Sequence, residues 1–302
     1  MKALDELKAW LLEIDDLNGA AALLRWDQTT YMPPGGSLAR GRQTATLSRL
    51  AHEKLTDPAV GRLLDQLERD TAPEPAESDA AALARVTRRL YERSVCVPGS
   101  LVTEWNEHAA VIYQAWTLAR PADDFAAVRP LLEKTLELSR LQAGCFPGYE
   151  SIADPLIDLA DQGMTASAVR TLFTELRAGL LPLVRAITAR PLADDACLRR
   201  GAPAAAQLAF GRQVLAAFGF DRGREDLTIH PFMTKMSLGD VRITTRARED
   251  LLTDTLFSTM HECGHALYAQ GIRADFEGTA LAEPPSSGLD ESQSRLWENL
   301  VG

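Results

Sequence analysis

Apolar residues recur at steps of three or four through most of the chain, and this spacing constrains the fold more than any other feature. Spacing of this kind places side chains on one face of a helix, so it predicts a mainly α-helical array. The clearest example lies in residues 101–118, where we expect a core-facing stripe of Leu101, Trp105, Ala109, Ile112 and Trp116. The same pattern predicts helices at residues 3–24, 39–52, 58–69, 79–93, 125–143, 165–188 and 204–218.

Proline and glycine mark the breaks between these segments. They cluster at residues 32–36, 71–75 and 147–148, where a helix would be interrupted. No fixed period of self-similarity links the helical segments, so the sequence does not indicate a solenoid of repeats.

Residues 227–246 depart from the helical pattern. Two runs rich in β-branched residues, Leu227–Phe232 and Asp240–Arg246, are joined by a short segment containing Gly239. Such runs are typical of strands, and the short connection predicts a small antiparallel pair.

Side chains alternate along a strand, so the second of these runs has two different faces. Asp240, Arg242 and Thr244 would share one face, and Val241 and Ile243 the other. The polar face either points at something polar or is simply open to solvent.

Composition narrows the classes of function. With 46% hydrophobic and 25% charged residues the chain is neither disordered nor collagen-like. Its 32 Lys and Arg against 42 Asp and Glu give a net charge of −10, which disfavours nucleic acid as a partner.

The opening residues lack a secretory apolar core, and no run is long and uncharged enough to span a membrane. Four scattered cysteines suit reduced thiols, so we expect a cytoplasmic protein.

The strongest chemical motif is His261-Glu262-Cys263-Gly264-His265, inside a predicted helix over residues 253–270 that has hydrogen-bond acceptors at its start and Gly271 at its stop. Two histidines four residues apart lie on one helix face, so both imidazoles can reach one metal ion. Glu262 is rotated to the side where an attacking water would lie. This is a zinc-hydrolase signature; the plainer alternative is two histidines that only line a polar helix face.

Two of the three residues between the histidines, Cys263 and Gly264, carry predictions of their own. Cys263 points away from the ligand face, so we expect a small packed side chain. Gly264 costs about 1 kcal/mol relative to alanine in mid-helix, which indicates that another group approaches closely there.

Zinc hydrolases keep three protein ligands, so a third donor is needed. No histidine follows His265, which leaves a carboxylate. The downstream candidates are Asp275, Glu277, Glu283, Asp290, Glu291 and Glu298. Glu291 and Glu298 lie seven apart on a common helix face, and spacing favours neither strongly. Asp290 also fits a capping box that begins at Ser287 and a favourable place at the positive end of the helix dipole.

Five ordered motifs match one family. They are Trp26–Gly36 as its early block, His230–Phe232 as HPF, Asp240–Thr244 as DxRxT, His261–His265 as HExxH and Glu291–Asn299 as ESQSRLWEN. On these residues the sequence resembles the M32 metallocarboxypeptidases, the carboxypeptidase Taq type.

The resemblance implies a zincin-like site of the gluzincin type. Glu291 would join His261 and His265 as the third ligand of one Zn²⁺, with Co²⁺ or Mn²⁺ as possible substitutes, and Glu262 would be the general base that removes C-terminal residues from peptides. It also implies a grooved, mostly helical homodimer. We expect one domain over residues 1–302, with a helical part at about 1–220 and a metal-site part at about 221–302.

Three residues are candidates for binding the peptide substrate. Selecting a C-terminal residue needs a cation aimed at its carboxylate, ideally a bidentate arginine, and Arg242 is the local candidate. The alternative is a salt bridge from Arg242 to Asp240, and the two readings are compatible if Asp240 orients the guanidinium. His230 either hydrogen-bonds substrate or satisfies the strand junction.

The sequence departs from the family pattern in two ways. Asp290 replaces a histidine that usually precedes the ligand glutamate, which would alter a polar contact near the metal. The family's IRxxAD and GxxQDxHW motifs do not follow; Ile272–Asp275 only echoes the first. The alternative function is therefore a truncated, weakly active or inactive zinc-binding module with an interaction or regulatory role, and a second chain is a possible source of the remaining groups.

Overall fold

The computed structural model describes residues 2–199, 201–220, 223–227 and 231–302. The helices are α1 Lys2–Thr30, α2 Ser37–Leu55, α3 Pro58–Thr71, α4 Asp79–Cys96, α5 Gly99–Ala119, α6 Phe125–Gly144, α7 Asp154–Ala160, α8 Ala166–Thr188, α9 Ala204–Phe218, α10 Leu252–Gln270 and α11 Ser287–Arg295. The strands are β1 Gly223–Leu227, β2 Met233–Ser237 and β3 Asp240–Thr245. The mainly α-helical fold is confirmed. Each predicted helix falls inside one of these helices, with ends that extend beyond it by at most one residue.

The first core forms between the N-terminal helices. It contains Leu7 and Leu11 of α1 together with Val60 and Leu64 of α3, all closely packed and almost fully buried. Residues of α2 and α4 close the cluster. Because these positions repeat at helical spacing, their burial follows directly from the sequence pattern.

The stripe predicted on α5 is an exception. Leu101 is buried, but Trp105, Ile112 and Trp116 are only half-buried and Ala109 is exposed. Helix α5 packs against α2 and α6, which cover only part of its surface. The prediction that the whole stripe lies in the core is therefore wrong for this part of the chain.

The sheet has three strands in the order β1-β3-β2. Strand β2 pairs with β3 antiparallel, with an irregularity between Lys235 and Ser237, and β1 pairs with β3 in parallel. An antiparallel pair is thus confirmed, but its first strand begins at Met233 rather than at Leu227. Pro231 has no N–H to donate to a ladder, which disfavours pairing at that position. Residues 228–230 lie outside the described part of the chain.

The sheet joins the second core and positions the motif helix. Val241 and Ile243 are fully buried and pack with Cys263 and Ala266 of α10 and Leu215 of α9. The predicted apolar face of β3 is confirmed.

The opposite face of β3 is less exposed than its sequence suggests. Thr244 is also fully buried, and its hydroxyl bonds to the Phe232 backbone.

Among the described residues, no helix has the length and apolar character that crossing a membrane requires.

Candidate metal centre

Helix α10 carries the histidine motif through the interior. It begins at Leu252, and the residue that caps it, Leu251, has no side-chain acceptor. The expectation of a capping acceptor at this start is wrong, because Thr253 and Asp254 lie inside the first turn, where Asp254 pairs with Arg246 at 2.8 Å. The helix ends at Gln270 before Gly271, as the sequence predicts.

The structure brings His261, His265 and Glu291 together. Nε2 of His261 lies 3.7 Å from Oε1 of Glu291, and Nε2 of His265 lies 3.4 Å from Oε2. One donor atom from each of the three residues lies within 4.8 Å of the other two. Two helices therefore contribute to one cluster: α10 supplies both imidazoles and α11 the carboxylate.

Gly264 explains how α11 comes so close. A Cβ at this position would lie 2.6 Å from Cα of Ser294 and 2.7 Å from the carbonyl oxygen of Gln293. The prediction of a close approach at Gly264 is confirmed, and the approaching group is the α11 backbone. Cys263 is buried in the core on the other side of the helix, as predicted.

The second nitrogen of His261 has its own carboxylate. Nδ1 of His261 lies 2.8 Å from Oε2 of Glu298, which stands on a π-helical turn, Leu296–Val301, that continues α11. Arg295 donates to Glu291 at 3.0 Å and to Glu298 at 2.8 Å. Glu291 therefore faces the Nε2 atoms of both histidines, whereas Glu298 contacts Nδ1 on the other side of the His261 ring. The role of Arg295 was not predicted, although its i+4 spacing from Glu291 is a signal in the sequence.

His265 has a similar neighbour. Its Nδ1 lies 3.1 Å from Oδ1 of Asp290 at ion-pair distance, without the angles of a hydrogen bond. The capping box predicted at Ser287 is wrong, because the cap of α11 is Ser286, which accepts from the Leu289 N–H. The third residue of the helix is then a leucine, which cannot complete the box.

Glu262 is the most perturbed carboxyl in the cluster. Burial raises its pKa to about 8, and the carboxylates of Glu291 and Glu298 add to this rise. The backbone N–H of Met233 on β2 donates to the same carboxyl and acts in the opposite direction. Glu262 is thus fixed beside the two histidines by the edge of the sheet.

The donor set fits a zinc ion. Two ligands about 2.1 Å from a tetrahedral centre lie about 3.4 Å apart, close to both imidazole–carboxylate distances here. Two neutral imidazoles and one carboxylate are also ligand types that zinc accepts. In addition, Glu298 and Asp290 place carboxylates beside the two imidazoles, and a divalent cation would offset their charge.

The substrate-binding candidates lie on β3 and before β2. Arg242 donates to both carboxylate oxygens of Asp240 at 2.7 Å, and its guanidinium stacks over the Trp26 ring at 4.5 Å. The salt-bridge reading of this pair is thus correct, and it leaves the guanidinium oriented by Asp240 and Trp26. His230 lies outside the described residues.

An HExxH helix against a small sheet, with a glutamate from the next helix beside it, is an arrangement typical of zincin-like metallopeptidases. Residues 6–302 match the Carboxypeptidase Taq (M32) metallopeptidase family. Thermostable carboxypeptidase 1 of Thermus thermophilus is 39% identical over 298 residues, covering 95% of this chain and 58% of the relative. Carboxypeptidase 1 of Bacillus subtilis is 32% identical, covering 97% and 58% respectively.

A solved structure gives the same result. The M32 carboxypeptidase from Deinococcus radiodurans R1 superposes with a TM-score of 0.86 at 44% identity, covering all of this chain and 61% of that one. The chain belongs to the M32 metallopeptidase family. It spans about three-fifths of the length of the relatives it matches.

Proposed function

We propose that the chain is a zinc-dependent metallocarboxypeptidase that removes C-terminal residues from peptides. The observation that supports this most strongly is the convergence of His261, His265 and Glu291 beside the buried Glu262. The named relatives in Thermus and Bacillus are carboxypeptidases, which is consistent with that chemistry.

His261, His265 and Glu291 would hold the metal through Nε2, Nε2 and the carboxylate. A zinc ion supplies Lewis acidity at such a site, which favours attack of water on a peptide carbonyl near neutral pH. The same donors also accept Co²⁺ or Mn²⁺.

Glu262 is the proposed general base. Its carboxylate lies next to His261 in sequence but outside the donor triangle, so an oxygen is available to accept the proton of the attacking water. The same carboxyl then delivers that proton to the nitrogen of the leaving amine. The Met233 N–H holds the carboxyl in place during both transfers.

Arg242 is the proposed contact for the terminal carboxylate of the substrate, with Asp240 as its orienting partner. A planar guanidinium held along one edge and stacked on an indole keeps its position without substrate, which reduces the entropy lost on binding. His230 remains a proposed substrate contact on the family resemblance.

The assembly is a separate proposal. The family resemblance implies a homodimer, and a second chain could supply further groups. Sedimentation velocity of the parent chain tests the homodimer, which has twice the mass of the single chain.

Glu262→Gln tests the proposed chemistry. It should keep one zinc per chain but lower the release of amino acids from blocked dipeptides by about 10²- to 10⁴-fold, because the general base is lost. Metal content measured on the same sample separates catalysis from binding. Glu175→Gln on the exposed surface of α8 is the matched control and should leave both unchanged.

Two outcomes would contradict the proposal. Glu262→Gln at the parental rate would remove Glu262 from the reaction. A parent chain that binds zinc but releases no amino acid would remove the peptidase activity and leave the metal centre standing.

A further inference from the structure

We propose that Asp290 is a positioning residue for His265, holding the imidazole so that Nε2 faces the metal and Nδ1 carries the proton. The inference rests on the proposed metal centre and adds a residue that is not itself among the ligands. It concerns metal affinity rather than the catalytic step.

The geometry around His265 supports this role. Its Nε2 lies 3.4 Å from Glu291 and its Nδ1 lies 3.1 Å from Asp290, so one carboxylate stands at each ring nitrogen. Both Nδ1 and Oδ1 of Asp290 are buried, and neither has a hydrogen-bond partner among the described residues. Two buried polar atoms that face each other at this distance are each the obvious partner of the other.

Metal binding at Nε2 of His265 would turn the approach of Nδ1 to Asp290 into a hydrogen bond. An imidazole that ligates through Nε2 must carry its proton on Nδ1, and that N–H then needs an acceptor. Oδ1 of Asp290 is the acceptor within reach. The carboxylate would fix the tautomer and the ring orientation and make the imidazole a stronger ligand.

The site contains an internal comparison. His261 has the same arrangement through Glu298, but Glu298 also receives a hydrogen bond from Arg295, which neutralises part of its charge. In the described part of the chain, Asp290 makes no ion pair with a lysine or arginine, and its charge is directed at His265. Removing Asp290 should therefore affect its histidine more than removing Glu298 affects His261.

The position of Asp290 also has an explanation that needs no metal, which is its interaction with the helix dipole. It stands in the first turn of α11, where a carboxylate interacts favourably with the helix dipole whether or not a metal binds. Asp5→Asn removes an exposed carboxylate from the first turn of α1 and is the matched control for this effect.

The test is zinc affinity, measured by competition with a chromophoric chelator. We expect Asp290→Ala to bind zinc about 10- to 100-fold more weakly than the parent. Asp290→Asn should lie between the two, because its amide oxygen still accepts the Nδ1–H without the charge. Asp5→Asn should bind zinc as the parent does. Circular dichroism of the metal-free variants checks that each is folded.

A second readout reports the ligand itself. The visible spectrum of the Co²⁺-loaded chain depends on ligand geometry, so it should change in Asp290→Ala and be largely restored in Asp290→Asn. Parental zinc affinity in a folded Asp290→Ala would overturn the role of Asp290 alone. A parent chain that binds no zinc would overturn the metal centre together with it.

Discussion

Helix α10 lies between the sheet, α9 and α11, whereas α8 has no buried residue along its 23 residues. In α10 even Thr255, Thr259 and Glu262 are buried. In α8 the large apolar side chains are exposed, and Phe173 and Ile187 are 60% and 61% accessible. No helix or strand of the described chain packs along α8.

Both helices were predicted correctly from sequence, so the difference shows what the pattern does and does not determine. The apolar residues of α8 follow a spacing of three and four through Phe173, Leu176, Leu180, Leu183 and Ile187. This spacing predicts a helix and the face that would be covered. Whether that face is covered depends on which other elements the fold brings to it.

The largest effect is expected in the core that supports α10. Ile243 is fully buried against that helix, so Ile243→Ala should lower the free energy of unfolding by about 2–5 kcal/mol, through lost burial and a residual cavity. Urea denaturation measures the change. Ile243→Val should lose only about 0.5–1.5 kcal/mol. An alanine variant as stable as the parent would mean that the sheet does not support α10.

The close approach of α11 gives the next effect. In Gly264→Ala the new Cβ meets backbone atoms of Ser294 and Gln293, which cannot move aside like a flexible side chain. We expect a loss near the upper end of the usual overpacking range of about 1–3 kcal/mol, together with weakened zinc binding as Glu291 moves away. Gly179→Ala on exposed α8 is the matched control, since nothing lies near its added Cβ. Parental zinc affinity and stability in Gly264→Ala would contradict the observed contact.

A third prediction concerns the short helix before α8. Burial alone would raise the pKa of Asp158, but hydrogen bonds from Gly163, Tyr149 and Arg89 lower it from 3.8 to about 2. The folded pKa lies below the unfolded one, so the associated stability is present above about pH 4 and disappears as the pH falls toward 2. This corresponds to about 2 kcal/mol at neutral pH.

Asp158→Asn checks this directly. The variant should be less stable at pH 7, and its stability should fall less between pH 4 and pH 2 than that of the parent, as followed by urea denaturation at each pH. Identical pH profiles would show that the network around Asp158 contributes no linkage.

The smallest effect is expected on α8. Leu180→Glu should change the free energy of unfolding by less than about 0.5 kcal/mol, because the side chain is 47% accessible and no described element covers it. Light scattering should show no increase in self-association. A loss of several kcal/mol would reveal that another surface covers this face.

Much of the fold was predictable because a long helix repeats its apolar spacing over many residues. The eight long helices predicted from spacing are all present, whereas the seven residues of α7 are too few to show a period. The antiparallel partner of β3 was predicted too early: residues 227–232 are rich in β-branched side chains, but the described partner is Met233–Ser237. Residues 228–230 lie outside the described part of the chain. The stripe of α5 was identified correctly as a helix face but not as a surface that remains partly uncovered.

The site divides in the same way. The spacing of His261 and His265 fixes their common helix face, and Gly264 correctly signals a neighbour. Choosing Glu291 over Glu298 as the third ligand required the family resemblance, because residues seven apart share a helix face. The π-helical turn that contains Glu298 changes its direction, and no sequence pattern predicts that turn. The contact between Asp290 and His265 depends on how two helices pack, which no local pattern contains.

Crystals grown with zinc and measured at the zinc absorption edge would show whether His261, His265 and Glu291 hold the metal. We expect one anomalous peak per chain, between the two Nε2 atoms of His261 and His265 and the carboxylate of Glu291. A zinc-soaked crystal without a peak among these three donors, or with zinc bound at other residues only, would contradict it.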